Sequence, residues 1–147
     1  MPGLLVVDDT PLIRSTIARV VAQSDSEFYP IIEASSGLEA VELARRATPD
    51  VVLMDIKMPG LDGLQAATMI RAELPATRII ILTAYDDFPY VQRAIKLGVV
   101  DYLLKPVRPA KLTELLTQLY QQIQAERQQL QEVVETKSYL EKNVACS

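Results

Sequence analysis

The stretch Val51-Val52-Leu53-Met54-Asp55 decides the fold, because four apolar residues in a row are followed at once by an acidic residue. A continuous apolar run of this length is typical of a parallel strand that is covered on both faces. Four other runs have a similar character: Leu4 to Val7, Ile31 to Ala34, Ile79 to Leu82 and Tyr102 to Leu104. We therefore predict five buried parallel strands.

The segments between these strands have the spacing of helices. Apolar residues recur three and four positions apart within residues 12–21, 38–44, 64–70 and 91–97. Pro11 suits the first turn of the first helix, and Pro59-Gly60 breaks the chain after the third strand. Strand and helix thus alternate five times, which predicts an α/β domain with right-handed crossovers and helices on both faces of the sheet.

Polar side chains stand at or just past the ends of four of the predicted strands. They are Asp8, Asp9, Asp55, Thr83 and Lys105. The carboxyl ends of parallel strands lie along one edge of the sheet, so we expect these residues to share a pocket. Its oxygen ligands suit Mg²⁺, and the crowded carboxylates need a cation to offset their repulsion. The alternative is that the aspartates only cap helices or turns.

Composition and charge narrow the class of protein. The chain has 147 residues, 49% of them hydrophobic, and a net charge of -4, which argues against a nucleic-acid-binding surface. Its apolar runs are far shorter than the roughly 20 residues of a membrane helix, and its N-terminus lacks a basic leader. We expect a soluble cytoplasmic protein of one domain plus an extension. Cys146, the single cysteine, cannot form an internal disulfide.

Four motifs resemble the CheY-like receiver domain of two-component response regulators. They span Val6 to Asp9, Val52 to Gly63, Ile81 to Ala84, and Asp101 to Pro106, in the order and at the spacing of that family. The resemblance covers Leu4 to Leu119. It implies the flavodoxin-like (βα)5 fold, with a five-stranded parallel sheet in the order 2-1-3-4-5.

The resemblance also implies the ligands of the site. Asp55 would accept a phosphoryl group. Asp9, Asp55 and the backbone carbonyl of Lys57 would bind Mg²⁺ directly, and Asp8 would bind it through water. Lys105 would neutralise charge during the transfer, and its bond to the following proline would be cis.

Two further residues would form the conformational switch. The Thr83 hydroxyl would bond a phosphoryl oxygen and draw its loop inward, and Tyr102 would rotate into the vacated space. The alternatives are that both are ordinary strand residues. Tyr85 and Lys57 each lie two positions past a site residue, so they would flank the path of an attacking water, with Tyr85 as a partial shield.

The source of the phosphoryl group must lie outside the chain, because the sequence contains no histidine. We expect a partner histidine kinase or phosphotransfer protein, and a phosphoacceptor switch rather than a conventional enzyme. One alternative is a phosphorylation-independent pseudo-receiver that serves as a dimerisation module. Another is a Mg²⁺-dependent phosphatase, although Lys57 stands where its general acid would be.

The output is expected to be transcription. The stretch Thr83 to Phe88 is similar to the variant found in receivers joined to AraC-type DNA-binding domains. Such a domain is not within these residues, so we expect no direct nucleic-acid contact by this chain.

The C-terminal part departs from a minimal receiver. After Pro109 the apolar residues follow a heptad seam of Leu112, Leu116, Leu119, Ile123, Leu130, Val133, Leu140 and Val144. We expect a long helix whose first two turns pack on the sheet and whose remainder pairs with the same helix of a second chain, with Lys137 weakening the pairing. A helical linker frayed beyond Gln128 is the alternative. The predicted division is a receiver domain at 1–122 and a helical extension at 123–147.

Overall fold

Five parallel strands form one sheet in the computed structural model, which describes residues 1–84 and 87–145, with side chains to residue 143. The strands are β1 (Leu4–Val7), β2 (Ile31–Ala34), β3 (Val51–Asp55), β4 (Arg78–Thr83) and β5 (Asp101–Leu104). Their order is β2-β1-β3-β4-β5, with every pair parallel. The flavodoxin-like order is confirmed, and each predicted strand boundary lies within one residue of the observed one.

A helix follows each strand. The helices are α1 (Pro11–Gln23), α2 (Gly37–Ala47), α3 (Gly63–Glu73), α4 (Phe88–Leu97) and α5 (Pro109–Ala145). Buried side chains of α1 and α5 pack on one face of the sheet, and those of α2, α3 and α4 pack on the other. The predicted alternation and the two covered faces are therefore both present.

The two edge strands correct the prediction of five buried strands. Every residue of β1 and β3 is buried, whereas β2 buries only Ala34 and β5 buries only Leu103. An edge strand has one neighbour instead of two, and the helices on each face cover it incompletely. As a result, Tyr102 and Leu104 are 42% and 45% exposed.

The fifth helix is much longer than the domain needs. Its 37 residues extend about 55 Å at 1.5 Å per residue. The predicted two turns of packing are too short, because Leu112, Leu116, Leu119 and Ile123 are all buried against the sheet. From residue 124 to residue 143 the side chains are exposed. Among the described residues, no helix is both long enough and apolar enough to cross a membrane.

Candidate functional site

Three carboxylates meet at the carboxyl edge of the sheet. Asp8 directly follows β1 and Asp55 is the last residue of the neighbouring β3, so the parallel register sets them side by side. One carboxylate oxygen from each of Asp8, Asp9 and Asp55 lies within 4.8 Å of the other two. Asp8 and Asp55 are buried, and Asp9 is exposed.

The start of α3 packs directly against the backbone of Asp55. Gly63 donates its N–H to the Ile56 carbonyl at 3.0 Å. A Cβ atom at Gly63 would lie only 2.0 Å from the Asp55 carbonyl oxygen, so only glycine fits this position. Asp62 and Gln65 form a reciprocal capping box that fixes the helix start. The loop after Asp55 is therefore held in one conformation by local contacts.

Lys105 bridges two of the acids from the far end of β5. Its Nζ lies 2.9 Å from Asp55 Oδ1 and 3.0 Å from Asp8 Oδ2. Its backbone N–H donates to the Thr83 carbonyl at 2.8 Å, and its peptide bond to Pro106 is cis. Burial alone would lower the pKa of Lys105, but the bonds to Asp55 and Asp8 outweigh burial and raise it. The ammonium is therefore charged throughout the neutral range.

Three carboxylates share this pocket with the ammonium of Lys105, and the pKa of Asp55 is raised there. Burial raises the pKa of Asp55, the hydrogen bond from Lys105 lowers it, and the charge of Asp8 raises it again, to about 6. One ammonium thus offsets only part of the repulsion among three carboxylates. The pocket could therefore hold an additional cation.

One carboxylate oxygen lacks a well-directed hydrogen bond. Asp8 Oδ1 accepts from the Thr10 N–H at 2.9 Å, whereas the buried Asp8 Oδ2 has only the off-axis ion pair with Lys105 among the described residues. A carboxylate oxygen has more than one lone pair, so Asp8 Oδ2 can still bind an ion or a water beside Lys105. A donor set made only of oxygens suits a hard divalent ion, so the residues present fit Mg²⁺.

The two predicted switch residues are placed differently. Thr83 ends β4 at the same edge as the acids, is fully buried, and donates its hydroxyl to the Ala84 carbonyl at 3.2 Å. Tyr102 lies on the edge strand β5, opposite Ile81, with its side chain partly in solvent. Their roles in switching remain predictions.

Lys57 makes contacts that no sequence pattern identified. Its Nζ lies 2.6 Å from the buried carboxylate of Asp87 and 5.5 Å from the centre of the Tyr90 ring. Asp87 precedes α4 like an ordinary helix cap, although its side chain makes no capping bond. The contact joins the loop after β3 to the start of α4. Tyr85, the predicted shield, lies outside the described residues.

Arg14 was also missed. Its guanidinium donates to the Asp8 carbonyl at 2.7 Å and to Glu33 Oε1 at 3.2 Å. A basic residue one turn into α1 is common and gives no signal by itself. Only the fold shows that it reaches the loop that carries Asp8 and Asp9.

Fold and pocket together define a class: a doubly wound α/β domain with an acidic site at the carboxyl edge of its sheet. The model of the response regulator receiver domain family matches residues 4–117. The chain therefore belongs to this family, whose members act in two-component systems as phosphoacceptor switches and take phosphate from histidine kinases or phosphotransfer proteins.

Individual relatives agree with this assignment. The positive alginate biosynthesis regulatory protein of Pseudomonas aeruginosa is 44% identical over 116 residues, covering 78% of this chain and 45% of that protein. The chemotaxis protein CheY of Listeria monocytogenes is 39% identical over 116 residues, covering 79% of this chain and 96% of that protein. The receiver domain of AraT, a response regulator from Geobacillus stearothermophilus, matches with a TM-score of 0.79 and 38% identity, covering 85% of this chain and 97% of that chain.

The relatives differ in length. The chain spans about half the length of several transcriptional regulators that it matches, but nearly all of CheY. The remaining half of each longer protein lies outside the matched region.

Proposed function

We propose that Asp55 is the phosphoacceptor of a Mg²⁺-dependent switch. The observation that carries the proposal is a buried carboxylate that ends a central strand, is bridged to a lysine, and shares its pocket with two further acids. Asp9, Asp55 and the Lys57 carbonyl would hold the ion directly, with Asp8 acting through water. Bound there, the ion would supply neutralisation of the phosphoryl oxygens.

The transfer uses Asp55 as a nucleophile. A carboxylate oxygen of Asp55 attacks the phosphorus of a partner's phosphohistidine, the new O–P bond forms, and the P–N bond breaks with its electron pair going to the departing imidazole. Lys105 already contacts the attacking carboxylate at 2.9 Å, so a small displacement lets its ammonium pair with a phosphoryl oxygen. The chain supplies position and charge, and no turnover of a separate substrate is required.

The switch would begin at Thr83. Its hydroxyl bond to the neighbouring carbonyl is long, at 3.2 Å, so a charged phosphoryl oxygen competes for it favourably. Movement of Thr83 would change the packing around Tyr102. That tyrosine and residues of β5 and α5 line a groove of about 690 Å³, so the proposed change would alter an exposed surface.

A separate histidine kinase or phosphotransfer protein is the proposed donor, in the cytoplasm. Transcription is the proposed output, because the alginate regulatory protein and the Bacillus subtilis protein LiaR are regulators that extend well beyond the matched region. Any DNA contact would then be made by an output domain, of AraC type or another type, rather than by these residues.

The intact mass after incubation with acetyl phosphate and Mg²⁺ tests the proposal. We expect one phosphate adduct on the wild-type protein, and none on Asp55→Asn or in the presence of a chelator. Asp25→Asn is a matched control, because Asp25 is exposed in the turn after α1, outside the acidic cluster, and should leave the adduct unchanged. An adduct that persists on Asp55→Asn would show that the acceptor is elsewhere.

We also propose that residues beyond the receiver domain pair two chains. With the division at 1–122 and 123–147, the extension carries exposed apolar side chains at Leu130, Val133 and Leu140, which are 65%, 64% and 56% exposed. Their spacing is that of the first and fourth positions of a heptad, as in a two-stranded coiled coil. The helix is continuous through this region, so the seam is already formed in one chain.

Light scattering coupled to size exclusion tests the pairing. We expect a dimer for the full chain and a monomer for a chain ending at Gln128, which keeps the contacts of Glu126 and Arg127. Leu130→Glu should also give a monomer. Gln129→Glu adds the same negative charge at a residue outside the heptad seam, so this variant should remain dimeric. A full chain that is monomeric across the micromolar range would contradict the pairing.

A further inference from the structure

The loop that carries two of the three acids is held at Asp8 by a side chain of α1. Arg14 Nη1 donates to the Asp8 carbonyl at 2.7 Å. The backbone N–H of Arg14 also donates to the Thr10 carbonyl at 3.0 Å, but this is the first helical bond of α1, which any residue other than proline would make. Asp9 lies between these two carbonyls. The Arg14 side chain thus braces the loop of residues 8–10 at the Asp8 carbonyl.

The guanidinium is itself oriented by a second contact. Arg14 Nε donates to Oε1 of Glu33, which lies on β2 opposite Val6. The Arg14 side chain is only 17% exposed, so it is packed rather than extended into solvent. A guanidinium is a rigid planar fork, and two bonds from different nitrogens fix its plane. Glu33 therefore sets the direction in which Arg14 meets the loop.

The braced backbone determines where the carboxylates point. Asp8 Oδ1 accepts from the Thr10 N–H at 2.9 Å within the same loop, which turns Oδ2 toward Lys105 and the pocket. If Asp8 and Thr10 moved, this bond and the direction of Oδ2 would change with them. The order of the three acids thus depends on a backbone that Arg14 holds.

We infer that Arg14 is a positioning residue for the metal site, with Glu33 as its support. It holds residues 8–10 so that the carboxylates of Asp8 and Asp9 meet Asp55. This inference rests on the proposed Mg²⁺ binding. Partners of this kind, one shell outside the ligands, typically contribute about 10- to 100-fold to metal affinity.

Calorimetric titration with Mg²⁺ tests whether Arg14 acts by positioning the loop or only through its positive charge. We expect Arg14→Ala to bind Mg²⁺ about tenfold more weakly than wild type. Arg14→Lys keeps the charge but loses the fork, so it should show most of the same loss. Arg19→Ala removes an equal charge from an exposed site on the same helix, and should stay within about twofold of wild type because solvent screens it.

Glu33 provides a second route if substitution of Arg14 disturbs folding. Glu33 is exposed, so its replacement leaves the core intact. Glu33→Ala should weaken Mg²⁺ binding in the same direction as Arg14→Ala but by less. Glu33→Gln keeps an oxygen acceptor and should bind nearly as well as wild type. Equal affinities for wild type, Glu33→Ala and Arg14→Ala would overturn the inference.

Hydrogen exchange at the Thr10 amide gives a readout without metal. In the metal-free protein, we expect exchange at this amide to be several-fold faster in Arg14→Ala than in Arg19→Ala, because the loop loses its brace. Unchanged exchange would overturn the role of Arg14. If wild type showed protected exchange but no Mg²⁺ binding, the metal assignment would fail while the brace itself would stand.

Discussion

Charged residues are arranged differently at the amino edge of the sheet, where the strands begin, and at its carboxyl edge, where they end. At the amino edge, Asp50 pairs with Arg127, and Arg78, the first residue of β4, pairs with Glu126. Each acid there has one cation, and the α5 partners are largely exposed. At the carboxyl edge, three acids lie together, two of them are buried, and Lys105 contacts those two.

This difference distinguishes charged residues that only pair with each other from charged residues that could bind a ligand. Exposed one-to-one pairs contribute little free energy each and need nothing further. A buried excess of one sign is unfavourable in the free protein and marks a functional site. The pairs of the amino edge thus lie beside the buried contacts that attach α5 to the sheet, whereas the carboxyl edge has the excess negative charge that the proposed cation would offset.

The largest effect is expected from removing Lys105, the cation that contacts Asp55 and Asp8. Lys105→Ala should slow phosphorylation by acetyl phosphate about 100-fold or more, since one charged group that stabilises the transition state typically contributes this much. The time course of the intact mass measures it. Lys96→Ala removes an exposed lysine from α4 and should have no such effect. Phosphorylation rates of Lys105→Ala and Lys96→Ala that lie within threefold of each other would contradict this role of Lys105.

The next effect concerns pH. Because the pKa of Asp55 is raised from 3.8 to about 6 in the folded protein, its contribution to stability is fully present below pH 3.8 and is lost as the pH rises through 6. The free energy of unfolding of the metal-free protein should therefore decline across this window. Asp55→Asn removes the decline and should be more stable than wild type at neutral pH, by at most about 3 kcal/mol.

Chemical denaturation at several pH values checks this expectation. Addition of Mg²⁺ should narrow the gap between Asp55→Asn and wild type, since the ion stabilises only the ionised site. A wild-type stability that rises from pH 4 to pH 6 relative to Asp55→Asn would show that Lys105 already neutralises the pocket.

The smallest effect is expected at the amino edge. Arg127→Ala should lower the free energy of unfolding by less than about 1 kcal/mol and leave the rate of phosphorylation unchanged. Arg45→Ala, which breaks another exposed ion pair with Glu73, serves for comparison. A change in phosphorylation rate with Arg127→Ala alone would mean that the two edges are coupled through α5.

The fold was largely predictable because its signals are local. Apolar runs gave the strands within one residue, and the acids at their ends converged because parallel strands share an edge. The exposure of β2 and β5 had a weaker signal: Glu33 interrupts β2 and Asp101 begins β5, but one acidic residue in a short run does not identify an edge strand. Four turns of packing in α5 instead of two also follow from the size of the sheet, which no helix pattern encodes.

The supporting contacts of the site were the least predictable part. Arg14 reaches Asp8 only because α1 turns back along β1, and Lys57 meets Asp87 only because α4 begins beside the loop after β3. Neither pair has a sequence spacing that indicates a partner. Supporting residues such as Arg14 and Lys57 are identified from the three-dimensional contacts, whereas the acids at the strand ends are identified from the sequence pattern.

The most direct test of the central claim is the position of the phosphoryl group. The protein is treated with acetyl phosphate and Mg²⁺, the acyl phosphate is reduced with borohydride, and the peptides are sequenced by mass spectrometry. We expect homoserine at position 55, because the reduction converts a phosphorylated aspartate to that residue. Homoserine at position 8 or 9 in its place would contradict the assignment of Asp55 as the nucleophile.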